Sequence, residues 1–153
     1  MIKDCFFQFV IPGEMKRAFT RRMAKVTGHK IATCVRAIMA RMLLRSPREL
    51  SDLIDKGLQI YSKRPPEDTE TEFFHLKLPV KLREAFIQLA QKRRLKAAEC
   101  IRAGMMYVLV KSPRDLIAFI ADGMKNEIDF MKLQPEDEAN DEYFEELILR
   151  NSA

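Results

Sequence analysis

The stretch Phe6-Phe7-Gln8-Phe9-Val10-Ile11-Pro12 returns 67 residues later as Phe73-Phe74-His75-Leu76-Lys77-Leu78-Pro79. Met15-Lys16-Arg17-Ala18-Phe19 returns at the same offset as Leu82-Arg83-Glu84-Ala85-Phe86. At an offset of 66, Cys34-Val35-Arg36-Ala37 matches Cys100-Ile101-Arg102-Ala103, Ser46-Pro47-Arg48-Glu49-Leu50 matches Ser112-Pro113-Arg114-Asp115-Leu116, and Gly57 matches Gly123. The second copy has lost one residue near the end of its first helix. Four matched segments in order, followed by a matched glycine and separated by a single gap, identify an internal duplication.

Each copy opens with an alternation of two. Phe7, Phe9 and Ile11 alternate with Phe6, Gln8 and Val10, and Phe74, Leu76 and Leu78 alternate with Phe73, His75 and Lys77. That is the period of a strand with one buried face. The proline ends the strand and opens a helix, where its missing N–H costs nothing. Apolar spacings of three and four then predict a first helix over about 13–26 and 80–93, with Met15, Ala18, Phe19, Met23 and Val26, or Leu82, Ala85, Phe86 and Leu89, on its inner face. Gly28 breaks the first copy. A second helix is predicted over about 31–44 and 97–110. Its apolar stripe is Ile31, Val35, Ile38, Met39 and Met42, then Ala97, Ile101, Met105 and Val108, and Arg36, Arg41 and Arg102 fall off it. Ser46 and Ser112, each followed by proline and then by an acid at the third position, predict capping boxes opening a third helix. Gly57 and Gly123 are its expected stops.

One strand cannot satisfy its own backbone groups, so each copy needs the other. The expected fold is mainly α, with a short two-stranded antiparallel ribbon whose apolar face rests on the first and second helices: a duplicated strand-helix-helix(-helix) pseudodimer. The expected organisation is 1–64 for the first repeat, 65–72 for an acidic linker containing Pro65-Pro66, 73–133 for the second repeat, and 134–153 for an acidic tail. The tail's Tyr143, Phe144, Leu147 and Ile148 share one helical spacing.

The charge is uneven. Residues 1–64 carry 14 Lys/Arg and 5 Asp/Glu, residues 65–124 carry 10 and 8, and residues 125–153 carry 3 and 9. A basic body implies an anionic partner, and nucleic acid is the expected one. No apolar run approaches the ~20 residues of a membrane helix, and the opening residues do not read as a signal peptide. Cys5, Cys34 and Cys100 form neither a disulfide framework nor a zinc pattern. A reduced, cytoplasmic protein without cofactor or metal is expected. The chain has no Gly-rich phosphate loop and no recognisable catalytic set, so an enzyme is not expected.

The duplicated strand–helix–helix order, with its Leu78-Pro79 strand end and a basic turn before the second helix, resembles the ribbon-helix-helix (Arc/MetJ-type) DNA-binding family over roughly 6–44 and 73–110. Most members are homodimers, so the resemblance implies a single-chain pseudodimer, similar to accessory proteins of conjugative transfer and to border-DNA-binding proteins of T-DNA transfer. Gly28-His29-Lys30-Ile31-Ala32-Thr33 is similar to a segment of the latter. The resemblance implies that the ribbon enters the major groove of double-stranded DNA and that its outward residues read bases: Phe6, Gln8 and Val10 on one strand, Phe73, His75 and Lys77 on the other. Three of these six are apolar, a departure from the usual polar reading face, and Phe6 and Phe73 have an alternative place under flanking chain. The resemblance also implies phosphate contacts at the second-helix N-termini, here His29 and Lys30, and Arg93, Arg94 and Lys96. The implied function is transcriptional regulation or assembly of a DNA-transfer complex. The alternative is an antitoxin-like or other protein-interaction module that uses residues 134–150. The two repeats can pair within one chain or between two, and several copies can assemble side by side on DNA.

Overall fold

The computed structural model describes residues 3–64 and 70–133. The acidic tail, with its Tyr143, Phe144, Leu147 and Ile148, and most of the proposed linker lie outside the described residues. The element order is β1 (Asp4–Pro12), α1 (Gly13–Thr27), α2 (Ile31–Leu43), α3 (Pro47–Ser62), β2 (Thr71–Pro79), α4 (Val80–Lys92), α5 (Ala97–Leu109) and α6 (Pro113–Met131). The described residues are therefore mainly helical, with six helices and one two-stranded antiparallel sheet. No helix among them is long and apolar enough to cross a membrane.

The ribbon pairs Phe6 with Lys77, Gln8 with His75 and Val10 with Phe73. Gln8 therefore faces its own counterpart in the repeat. The strands are longer than the alternation predicted. Thr71 and Glu72, placed in the linker by sequence, continue β2 opposite Pro12 and Ile11. Backbone bonds carry the pairing past both prolines, with Gly13 donating to the Glu70 carbonyl at 2.8 Å and Val80 to that of Lys3 at 3.0 Å. Glu72 is also held by Arg17 at 2.9 Å and Lys16 at 3.4 Å. Pro12 and Pro79, at φ −57° and −61°, end the strands and cap α1 and α4 as expected.

Phe9, Ile11, Phe74, Leu76 and Leu78 are buried beneath the ribbon, and Phe7 is half-buried. They meet Met15, Phe19 and Met23 of α1 and Leu82 and Phe86 of α4 in one core. Burial of a large apolar side chain contributes about 1.5–3 kcal/mol, so each of these residues stabilises the ribbon's seat on the helices.

The second helices are buried on more than a stripe. Cys34, Ala37 and Ala40 of α2 are covered as fully as Val35 and Ile38, and Cys100 and Ala103 of α5 likewise. The reason is the third helices, which cross over: α6 packs on α2, and α3 packs on α5. This overturns the reading of Gly57 and Gly123 as helix stops. Both helices continue past them, to Ser62 and to Met131. A Cβ on Gly57 would sit 2.0 Å from the Ala103 carbonyl oxygen, and one on Gly123 would sit 2.3 Å from that of Ala37. At each glycine the facing backbone leaves no room for a Cβ, and the two contacts match at the 66-residue offset.

Ser46 and Ser112 cap α3 and α6 as expected, each Oγ accepting from the backbone N–H three residues on at 3.3 Å. The acid half of the expected box is formed at neither helix, and Glu49 turns instead toward Arg45 at 3.7 Å.

Candidate nucleic-acid interface

The ribbon's outward row runs Phe6–Lys77, Gln8–His75, Val10–Phe73, and all six residues are exposed. Phe6 is 66% exposed, Phe73 62% and Val10 40%. The alternative placing of the two phenylalanines under flanking chain is therefore overturned for the described residues. At the centre the Gln8 and His75 side chains lie 3.5 Å apart, Nε2 to Nε2, with the Gln8 amide able to donate to the imidazole. Phe73 stands beside His75, ring centroids 6.4 Å apart.

Two arginines missed by the sequence reading fix the ribbon between the second helices. Arg36 on α2 donates to the Lys77 carbonyl at 3.1 Å. Arg102 on α5 donates to the Val10 carbonyl at 2.8 Å. Each helix thus grips the strand contributed by the other half of the chain. Arg36 is backed by Glu127 at 3.5 Å, and Arg102 by the Tyr61 ring at 5.7 Å. Burial pushes the Glu127 carboxyl above its usual range, and Arg36 partly pulls it back. The available signal was an arginine at equivalent positions of two mostly apolar helices.

These contacts locate the second-helix N-termini. Six residues separate Lys30 from Arg36 and Lys96 from Arg102, about 9 Å of helix. The starts of α2 and α5 therefore each lie within two helical turns of a residue held to the ribbon. The first intrahelical bonds run from Cys34 to the Lys30 carbonyl and from Cys100 to that of Lys96. The backbone N–H groups of residues 31–33 and 97–99 precede those bonds and stand at the positive end of the helix dipole. The two ends differ. Lys30 caps α2 with no acid in its first turn, whereas Glu99 accepts from the Lys96 N–H at 3.2 Å.

The predicted phosphate residues separate into two groups. Lys30, Arg94 and Lys96 are exposed, while His29 and Arg93 are half-buried. Arg93 is committed elsewhere. Its guanidinium donates to Ser51 Oγ at 2.6 Å and to the Pro47 carbonyl at 2.9 Å, tying α4 to the start of α3. Arg94 holds the left-handed conformation, φ 58°, at the position matching Gly28, φ 76°. Of the generic basic face of α1, Arg17 is paired with Glu14 and Glu72, and Arg22 donates to the Lys111 carbonyl. Cys34 and Cys100 are fully buried. Desolvation raises both thiols, that of Cys100 to about 11.

No known protein family, curated protein or solved structure matches the chain.

Proposed function

We propose that this chain is a non-enzymatic, double-stranded-DNA-binding protein built as a single-chain ribbon-helix-helix pseudodimer. One observation carries the reading: a two-stranded ribbon with six exposed outward residues, held by Arg36 and Arg102 to the two second helices, whose starts are capped by Lys30 and Lys96 six residues earlier. A ribbon of that width fits the major groove of B-DNA. Helix N-termini beside it suit the phosphates on either wall. The matched contacts Arg36–Lys77 and Arg102–Val10, and Gly57–Ala103 and Gly123–Ala37, support an approximate two-fold relation between the repeats. In this account Gln8, His75 and Lys77 supply polar base contacts, and Lys30, Lys96 and Arg94 supply phosphate contacts. His29 is a lesser contributor and Arg93 a structural residue. Regulation of transcription and assembly of a DNA-processing complex both follow from such binding.

The test is fluorescence anisotropy of a labelled random-sequence duplex at low salt. Wild type should bind, and Lys30→Ala and Lys96→Ala should weaken binding several-fold. Lys56→Ala, on the exposed face of α3 beside Asp52, should not. The absence of duplex binding by wild type, or equal effects of all three substitutions, would overturn the proposal.

A further inference from the structure

We infer that Phe6 and Phe73 select thymine, each by packing its ring against the C5-methyl group at one position of the bound site. The inference rests on the DNA-binding reading above and names what that site takes. The two rings occupy equivalent positions of the repeat, and the register sets them at opposite ends of the outward row, on opposite strands. Both are about two-thirds exposed, on a surface whose other members include two hydrogen-bonding side chains and a lysine. Exposed aromatic rings gain from burial only against an apolar surface. On the major-groove edges of the four base pairs, the thymine methyl is that surface, and phenylalanine is among the side chains that meet it.

The neighbours make the two ends unequal. Phe6 stands directly across from Lys77, whose ammonium suits guanine O6 and N7. Phe73 stands directly across from Val10, a second apolar side chain. One half of the site should therefore combine thymine with guanine, and the other should be thymine-rich. Along the ribbon the two rings are four residues apart, roughly 14 Å. At 3.4 Å per base pair that separation spans roughly four base pairs.

The experiment has two steps. Bound duplexes are first selected from a random pool. The selected site is then resynthesised with deoxyuridine replacing thymidine one position at a time, which removes the methyl and leaves the hydrogen-bonding edge unchanged. Anisotropy is read for wild type, Phe6→Ala and Phe73→Ala. Wild type should lose roughly three- to fivefold in affinity at one position in each half of the site, the worth of one buried methyl. Phe6→Ala should be indifferent to deoxyuridine at one of these positions and Phe73→Ala at the other, while Lys56→Ala, outside the interface, keeps the wild-type sensitivity at both. Circular dichroism confirms that both variants fold, as surface substitutions should. Deoxyuridine tolerated everywhere within twofold by wild type, or wild-type methyl sensitivity at both positions persisting in Phe6→Ala and in Phe73→Ala, overturns this inference and leaves the DNA-binding reading intact. No duplex retained by any form of the protein overturns both.

Discussion

Replacing Gly57 by alanine puts a methyl 2.0 Å from the Ala103 carbonyl oxygen. Carbon–oxygen contacts across helix interfaces lie at about 3.3–3.6 Å. The α3 and α5 backbones must therefore part by about 1.3 Å, because the obstructing atom belongs to the main chain and has no rotamer to change. A gap of 0.5–1 Å already forfeits a quarter to a half of each dispersion contact. Leu50, Leu53 and Ile54 of α3 all bury their side chains at or near full occlusion. Overpacking of this kind costs about 1–3 kcal/mol when side chains can yield, and a backbone obstruction belongs at or above the top of that range. Helix propensity acts in the opposite direction, favouring alanine by about 1 kcal/mol. The expected net loss is at least about 2 kcal/mol, or roughly 4–8 °C in Tm for a chain of this length. Gly123→Ala, 2.3 Å from the Ala37 carbonyl oxygen, should fall by a similar amount. Thermal and urea unfolding followed at 222 nm give the values, with Lys56→Ala as a surface control. The sign decides the matter. A gain of about 1 kcal/mol in either glycine variant would mean that propensity alone operates and that the close crossing of the third helices is wrong.

Three further outcomes follow. Arg94→Gly should stabilise the fold by about 1 kcal/mol, because a side chain at φ 58° carries strain that glycine lacks; unchanged or lowered urea stability would refute this. Glu127 has its folded pKa raised by burial, so ionisation favours the unfolded chain, and its contribution declines as pH rises from the ordinary carboxylate value through the folded one. Glu127→Gln should remove that decline and gain on wild type between pH 4 and neutrality; parallel stability curves would contradict it. Thiol labelling of the native protein at pH 8 should reach the half-buried Cys5 while Cys34 and Cys100, raised by desolvation, react only on unfolding; prompt labelling of three thiols in the folded state would count against the buried placement.

Much of the fold was legible because the chain states it twice. The alternation around Gln8 and His75 assigned the outward and inward residues of the ribbon from Phe6 to Ile11 and from Phe73 to Leu78, and missed its extension through Thr71 and Glu72. The third helices were harder to read. A glycine near the end of an apolar run reads as a stop from local chemistry, yet Gly57 and Gly123 sit inside helices because of what packs over them. The same non-local contact explains why α2 and α5 are buried so widely. The alanines and cysteines off the predicted stripe were a visible sign of a second covering helix. Among the proposed interface residues, spacing identified exposed cations at both second-helix starts but could not distinguish Lys96, free to face solvent, from Arg93, drawn to Ser51 and Pro47. Nor could spacing alone give Arg36 and Arg102 their task, because their acceptors are backbone carbonyls on a strand from the other half of the chain.

The most direct measurement of the central claim is the salt dependence of duplex affinity for wild type and for the Lys30→Ala/Lys96→Ala double variant. If the second-helix starts clamp phosphates on both sides of the ribbon, log affinity should fall linearly with log salt for wild type. The double variant should lose close to two from the magnitude of that slope, about 0.9 for each contact removed. A wild-type affinity indifferent to salt, or a double variant with the wild-type slope, would contradict the account.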